Sequence, residues 1–236
     1  MVTSKIWPRL RDISWRLFEL CKFLLPGEFA RLHRVVRPYT MCSSARLRGL
    51  YRAVRYVVAR NIPGDVVECG TARGGSAALM GLTLKKLGAD RVLWVFDTFE
   101  GLPPPTKADP DYEIAKQHIG SCRGELQEVK SLFGRCNILA QSRLIKGLFQ
   151  ATIPASSIEN IAVLHIDADW YESVKICLEH LYGRVSPGGV IQIDDYGHWA
   201  GARKAVDEFL HRRELTVCLR HLDYTGRQFI KPLEKP

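Results

Sequence analysis

The sequence predicts an α/β fold with a doubly wound, mostly parallel sheet and a helical extension at its amino end. Beyond residue 64, strand-like and helix-like stretches alternate, as expected for a parallel sheet with crossover helices. The stretches 163–166 and 190–193 are nearly continuous aliphatic runs, typical of parallel strands buried on both faces. Both runs end abruptly in carboxylates, and ligands of open α/β sheets bind beyond the carboxyl ends of strands.

Composition limits the class of protein. Of the 236 residues, 46% are apolar, which is enough for one domain with a sizeable core. No run of eighteen apolar residues occurs, so we expect no transmembrane helix, and charges throughout residues 6–25 argue against a signal peptide. The seven cysteines show no C-x-x-C spacing, which favours a cytoplasmic protein without structural zinc.

Positive charge is concentrated at the amino end. Residues 1–60 contain thirteen Lys and Arg against three acids, whereas the remainder is nearly neutral. We predict a basic helical extension or lid at 1–60 and a catalytic domain at 61–236. Residues 5–25 have the spacing of an amphipathic helix, which fits packing on the body or on a twin subunit in a homodimer. The alternative is peripheral contact with the inner membrane surface. No nucleic-acid partner is expected, because no binding motif or aromatic stripe accompanies the charge.

The individual elements follow from local signals. A helix is expected from Ser43 to Arg60, with Ser43 or Ser44 as its N-cap and Pro63-Gly64 as its stop. A long polar loop at 103–120 is expected to cover the active site. The other predicted elements are strands at 66–69, 92–96 and 143–146, helices at 76–87, 124–133, 173–181 and 201–212, and an antiparallel pair within 216–230.

The first strand leads into a glycine-rich turn that predicts a cofactor. Gly70 and Gly74 lie between Glu68 and Ser76, in a spacing that is neither G-x-G-x-x-G nor a phosphate loop. Glu68 would repel phosphate but suits an amino group or a bound water. Asp97, at the tip of the second strand, is placed to accept hydrogen bonds from ribose hydroxyls. These features together favour S-adenosylmethionine, which has a ribose and an amino acid end but no phosphate.

Four carboxylates end the two aliphatic strands. Asp167 and Asp169 follow one strand, and Asp194 and Asp195 follow the other. Like charges brought together in one crevice are costly unless a cation or shared protons neutralise them. The sequence therefore predicts a divalent ion with oxygen ligands, most simply Mg²⁺.

Long stretches of the chain resemble the macrocin O-methyltransferase family, the sugar O-methyltransferases of antibiotic pathways. The matching segments are residues 39–41, 64–76, 94–103, 165–173 and 194–208. The resemblance implies a Rossmann-like class I methyltransferase fold and Mg²⁺-dependent methyl transfer from S-adenosylmethionine to a hydroxyl oxygen.

Roles for particular residues follow from that resemblance. It implies that Asp167, Asp194 and Asp195 hold the metal while Asp169 acts as general base. His198, just beyond the aspartate pair, is the rival base. By resemblance only, Thr40 and Met41 are expected to close over the cofactor.

The remaining expectations concern the edges of the site. Arg73 either pairs with the carboxylate of the cofactor or forms a surface salt bridge. Ser142 and Gly147 flank the third strand, where adenine usually lies. A sugar or glycoside hydroxyl is the favoured acceptor, a catechol-like hydroxyl is the alternative, and a nicotinamide oxidoreductase is the runner-up class. Four rings are candidate walls of the acceptor site or ordinary packing: Trp170, Tyr171, Tyr196 and Trp199.

Overall fold

A computed structural model describes residues 27–233 of the chain. The helices are α1 (Glu28–Val36), α2 (Ser44–Ala59), α3 (Gly75–Lys86), α4 (Tyr112–Ala115), α5 (Leu126–Arg135), α6 (Phe149–Thr152), α7 (Tyr171–Leu181) and α8 (Ala200–Arg212). The strands are β1 (Asp65–Cys69), β2 (Leu93–Asp97), β3 (Ser142–Lys146), β4 (Ile161–Ile166), β5 (Val185–Ile193), β6 (Arg220–His221) and β7 (Arg227–Ile230). No helix of the described region is both long and apolar enough to span a bilayer.

The strands form one seven-stranded sheet in the order β3-β2-β1-β4-β5-β7-β6. Strands β1 to β5 pair in parallel, and β7 pairs antiparallel with both β5 and β6. The order reverses between β1 and β4, which creates the crevice where ligands of such sheets bind. The predicted doubly wound, mostly parallel sheet is confirmed.

Helices cover both faces of the sheet. Val66 and Val163 pack into one apolar cluster with residues of α1, α2, α3 and α5. Their chain neighbours Val67 and Leu164 pack into the other cluster with residues of α7 and α8. Because successive strand residues point to opposite faces, this alternation explains why the strand sequences are apolar throughout.

The segment before β1 belongs to the same core. Leu47, Leu50, Val54 and Val57 of α2 are fully buried against the sheet. Ser43 is the predicted N-cap of this helix, since its hydroxyl accepts a hydrogen bond from the Arg46 amide at 3.2 Å. The predicted division of the chain into an extension at 1–60 and a catalytic domain at 61–236 stays a prediction. The predicted helix at 5–25 lies outside the described residues.

Two predicted boundaries differ from the structure. The stretch 103–120 is not a plain loop, because it contains α4 and a 3₁₀ turn at Lys116–His118. Strand β5 begins at Val185 rather than Val190, so it includes Pro187 and two glycines before the aliphatic run. A register shift between Ile161 and Val163 of β4 accommodates this segment beside the parallel ladder.

Candidate active site

The carboxyl ends of β1, β4 and β5 lie side by side. Cys69 is in register with Ile166, and Ile166 with Ile193. The ladder continues one residue further, where the Asp167 amide donates to the Cys69 carbonyl and the Asp194 amide to the Ile166 carbonyl, both at 2.9 Å. This register brings the two aspartate pairs of the sequence to one edge of the sheet.

Gly70 is required by this close approach. Its φ is +85°, and a Cβ atom built there would lie 1.8 Å from the Asp167 carbonyl oxygen. Any other side chain would separate β1 from the carboxyl end of β4.

One cleft of about 330 Å³ lies above these strand ends. Its volume is within the range of small-molecule binding sites. Ten of the predicted site residues line it: Thr40, Met41, Gly70, Ser76, Asp97, Asp167, Asp169, Asp194, Asp195 and His198.

Asp97 holds the glycine-rich turn in shape. Its carboxylate accepts hydrogen bonds from the amides of Thr71 at 2.7 Å, Ala72 at 3.1 Å and Phe99 at 2.7 Å. Burial raises the pKa of Asp97, and the three amide donors oppose that effect. Asp97 still faces the cleft, but both of its oxygens already serve the backbone.

Glu68 does not point into the cleft. It is fully buried, its Oε1 lies 2.8 Å from His165 Nδ1, and its other oxygen accepts from the Thr71 hydroxyl. The expectation that Glu68 meets the amino group of a cofactor is therefore corrected, because its side chain turns inward between two protein partners.

Arg73 and Gly74 also lie outside the cleft. Arg73 forms a salt bridge with Glu128 and donates to the Pro38 carbonyl at 3.1 Å, which is the surface alternative left open by the sequence. Gly74 is the left-handed N-cap of α3, with φ +86°, and it faces Val129 of α5.

The two residues that flank β3 lie at opposite ends of that strand. Ser142 begins β3, far from the edge with the carboxylates, and its hydroxyl donates to the Ile138 carbonyl at 2.8 Å. Its predicted contact with adenine is corrected, because ligands bind at the other end of the strand. Gly147 follows the carboxyl end of β3 and donates to the Asp97 carbonyl at 2.9 Å, next to cleft residues Leu148 and Phe149.

The aspartates form two overlapping groups. Ligand atoms of Asp167, Asp169 and Asp195 lie within 4.8 Å of one another, and so do those of Cys42, Asp167 and Asp194. Burial, and then repulsion from Asp194, raises the pKa of Asp167 well above its usual value. Burial and the Asp169 charge do the same to the pKa of Asp195. These shifts are the expected cost of gathering carboxylates in one place.

Asp194 is already paired within the protein. Arg46 forms a salt bridge with one of its oxygens, and His165 Nε2 lies 3.4 Å from the other. Burial alone would lower the pKa of His165, but hydrogen bonds to Asp194 and Glu68 raise it to about 9. Arg46 and protonated His165 therefore neutralise part of the negative charge that the sequence assigned to a cation or to shared protons.

Asp169 has the features of a positioned base. Its backbone is left-handed, with φ +55°, a conformation that is uncommon for non-glycine residues but that aspartate adopts more readily than most. The Trp199 indole donates to its Oδ1 at 2.9 Å. Burial raises the pKa of Asp169 to about 7, with the Trp199 hydrogen bond opposing the shift. His198 lines the same cleft and packs edge-on against Trp199, with ring centroids 4.9 Å apart.

The segment 101–122 forms one wall of the cleft and is fixed to the body. The Trp170 indole donates to the Pro103 carbonyl at 2.7 Å, and Asp109 accepts from the Tyr171 amide at 2.7 Å. Of the four candidate aromatic walls, Trp199 lines the cleft. Tyr171 and Tyr196 instead bond Glu208 and Asp207 through their hydroxyls.

Sequence reasoning missed three residues of this site: Cys42, Arg46 and His165. Cys42 lies just before α2, and Arg46 lies in the first turn of that helix. The Gln192 side chain of β5 donates to the Arg46 carbonyl at 3.3 Å. His165 is an interior strand residue with no ligand spacing. The sequence held one signal for His165, which is the only polar residue in the otherwise apolar strand β4 and is in register with Glu68 of β1.

The donor set fits a divalent metal ion. Asp195 Oδ2 is buried and has no hydrogen-bond partner among the described residues, and Asp195 is one of the converging aspartates. A buried carboxylate oxygen without a hydrogen-bond donor destabilises a metal-free protein, and it is a suitable ligand for a cation that prefers oxygen.

Comparisons with known proteins agree with this geometry. The sequence pattern of the macrocin O-methyltransferase (TylF) family matches residues 34–231. A Streptomyces olivaceus 8-demethyl-8-(2,3-dimethoxy-α-L-rhamnosyl)-tetracenomycin C 4'-O-methyltransferase is 38% identical over 80% of this chain and 74% of its own. A Micromonospora griseorubida mycinamicin III 3''-O-methyltransferase is 34% identical over 80% and 76%. The solved structure of the O-methyltransferase NovP is 32% identical, covers 83% of each chain and superposes with a TM-score of 0.77.

Proposed function

Because this chain belongs to the macrocin O-methyltransferase family, we propose that it transfers a methyl group from S-adenosylmethionine to a sugar hydroxyl in an Mg²⁺-dependent reaction. The observation that carries the proposal is the meeting of the aspartate cluster and the glycine-rich turn in one cleft. The family excludes the nicotinamide oxidoreductase considered from the sequence.

We assign the metal to Asp167, Asp194 and Asp195. Asp167 belongs to both groups of converging ligand atoms, and Asp194 and Asp195 are adjacent in the chain. When bound, Mg²⁺ would supply a positive charge that orients the acceptor and lowers the pKa of its hydroxyl. Asp194 would exchange its contact with Arg46 for the ion, while Arg46 keeps Asp223 at 3.1 Å.

Asp169 removes the proton from the acceptor hydroxyl. A base is most effective when its pKa is near the working pH, and burial brings the pKa of Asp169 to about 7. The Trp199 indole holds one carboxylate oxygen, so the other is directed for proton transfer. His198, on the same wall, orients the acceptor.

The glycine-rich turn and the segment before α2 hold the methyl donor. Asp97 keeps the turn open by binding its amides, and Thr40, Met41 and Ser76 line the adjoining wall. The donor methyl must lie in line with the acceptor oxygen, so much of the rate acceleration comes from positioning.

A sugar acceptor is supported by the relatives. The name of the Streptomyces olivaceus enzyme describes a substrate that contains a rhamnosyl group. The competing catechol-like acceptor also offers two adjacent hydroxyls, so the two classes need a direct test. Transfer of labelled methyl to rhamnosides and not to catechol is the expected outcome.

The metal assignment is tested with Asp167→Asn and with Asp90→Asn, an exposed aspartate far from the cleft, as the matched control. We expect Asp90→Asn to keep full Mg²⁺-dependent turnover and Asp167→Asn to lose it. Turnover by Asp167→Asn at the wild-type rate, or wild-type turnover that survives complete chelation, would refute the metal.

A further inference from the structure

A thiol lies among the proposed metal ligands. Cys42 is 5% exposed and lines the cleft at the start of the wall that leads into α2. Its Sγ atom lies 3.8 Å from Asp167 Oδ2 and 3.8 Å from each oxygen of Asp194. The sulfur therefore faces both carboxylates on which the proposed metal depends.

These distances match a ligand set around one small ion. Zinc binds thiolate sulfur at about 2.3 Å and carboxylate oxygen at about 2.1 Å, so a tetrahedral site separates the two donors by about 3.6 Å. The observed separations of 3.8 Å are close to that value. An ion could contact all three groups with little movement of the backbone.

A separate observation also points to a cation. Asp195 is 8% exposed, and its Oδ2 has no hydrogen-bond partner among residues 27–233. Asp195 belongs to the second group of converging ligand atoms, which shares Asp167 with the group that contains Cys42. A buried carboxylate oxygen without a donor is costly, and a nearby cation removes that cost.

We propose that Cys42, Asp167 and Asp194 form a binding site for a thiophilic divalent cation such as Zn²⁺, which competes with Mg²⁺ for the same carboxylates. Hard ions such as Mg²⁺ take oxygen ligands, whereas Zn²⁺ and Co²⁺ also accept thiolate. Binding releases the Cys42 proton to solvent and forms a metal–sulfur bond, with no redox change.

Arg46 has a second carboxylate partner, so Asp194 can leave it and bind a metal ion. Arg46 bridges Asp194 and Asp223, so it retains the Asp223 carboxylate at 3.1 Å when an ion takes Asp194. A thiophilic ion bound in this way occupies Asp167 and Asp194 and excludes Mg²⁺. Zn²⁺ is therefore an inhibitor of this enzyme, and Cys42 determines how strong an inhibitor it is.

Co²⁺ absorption tests the site without relying on turnover. We use the full chain with Cys21, Cys122 and Cys218 replaced by serine, which removes the two exposed thiols of the described region and the one outside it. In this background one equivalent of Co²⁺ should give the charge-transfer absorption of a cobalt–thiolate bond, and excess Mg²⁺ should abolish it. Adding Cys42→Ser should remove the absorption, while the buried Cys69, Cys136 and Cys177 remain the same in both proteins.

Two further measurements keep the result decisive. Cys42→Val is examined beside Cys42→Ser, and the thermal midpoint and S-adenosylmethionine affinity of each confirm that it is folded. Loss of a ligand should raise the Zn²⁺ concentration for half-inhibition at least about tenfold. An unchanged cobalt–thiolate band in both folded variants, or no band in the parent, overturns the proposal.

The inference rests on the proposed function for the location of the metal, but the two fail differently. Absence of Mg²⁺-dependent turnover in wild type would refute the proposed function whatever cobalt shows. A normal Mg²⁺ dependence with no cobalt–thiolate band would refute only the role of Cys42.

Discussion

The carboxylates on the two walls of the cleft differ in how many hydrogen-bond donors the protein gives them. On the glycine-rich side, Asp97 has three amide donors and Glu68 has Thr71 and His165. On the opposite side, Asp167, Asp169 and Asp195 converge, and an oxygen of Asp195 has no partner in the described chain. The carboxylates of the first wall have protein partners, whereas those of the second wall would be stabilised by the proposed cation.

This difference separates two functions of acidic residues. Asp97 and Glu68 shape backbone and core, so their substitution should affect folding and donor binding together. The converging aspartates are held at a cost in stability, and this pattern is frequent where residues serve chemistry rather than packing.

The largest effect is expected at Asp169. Replacing it with asparagine preserves shape and the Trp199 hydrogen bond but removes the base, so turnover should fall about 10²- to 10⁴-fold. Residual metal affinity should stay near that of wild type, measured by calorimetric Mg²⁺ titration. Loss of metal affinity in parallel with turnover would show that Asp169 is a ligand instead.

The same residue predicts a pH profile. Wild-type turnover should rise with pH through about 7 as Asp169 loses its proton. His198→Gln should keep this profile with a reduced rate, because His198 orients the acceptor without exchanging the proton. A profile that disappears in His198→Gln would transfer the role of base to the histidine.

The next effect concerns stability of the metal-free protein. Folding raises the pKa values of Asp167, Asp169 and Asp195 above the unfolded value of about 3.9, so the folded state binds more protons between that pH and about 7. These groups therefore lower stability as pH rises through that window. His165 acts in the same direction, since its contribution is complete below about 6.5 and is lost as pH rises through about 9.

Magnesium should reverse that loss. At a hundred times its dissociation constant, Mg²⁺ adds about 2.7 kcal/mol to the free energy of unfolding. At one fixed Mg²⁺ concentration the gain should be larger at pH 8 than at pH 5, because protons compete for the carboxylates at low pH and raise the dissociation constant of Mg²⁺. Urea unfolding with and without Mg²⁺ at both pH values measures it, and an equal gain at the two would contradict the coupling.

Much of the fold and of the aspartate cluster was predictable, because the carboxyl ends of parallel strands all lie at the same edge of the sheet. Aliphatic runs that end in Asp167 and Asp194 fixed both the fold and the edge of the sheet, and the matched motifs indicated the family. Register then required the two pairs to meet.

Side-chain direction was not predictable in the same way. Asp97 ends β2 and Glu68 is the residue before the last in β1, yet Glu68 turns inward to His165 and Asp97 faces the cleft. Cys42 and Arg46 reach the aspartates through the packing of α2 on β5, a contact across about 150 residues of sequence that no local pattern encodes.

A smaller effect is expected on the completed wall. Asp97→Ala leaves the amides of Thr71, Ala72 and Phe99 without their acceptor, which should cost about 1–3 kcal/mol of stability. Affinity for S-adenosylmethionine should fall with it, while Mg²⁺ affinity stays unchanged. A variant with intact stability but weaker donor binding would mean that Asp97 contacts the ribose and contributes little to the turn.

The smallest effect is expected at Arg73, which lies next to the glycine-rich turn but outside the cleft. Its exposed guanidinium pairs with Glu128, and surface pairs of this kind contribute little. Arg73→Ala should leave the thermal midpoint unchanged and the calorimetric affinity for S-adenosylmethionine within about twofold of wild type, because no cleft contact is removed. Glu128→Ala is the matched control, since it removes the same ion pair from the other side. A tenfold loss of donor affinity in Arg73→Ala alone would show that the arginine leaves Glu128 and binds the carboxylate of the cofactor, so that the glycine-rich wall is also rearranged by its ligand.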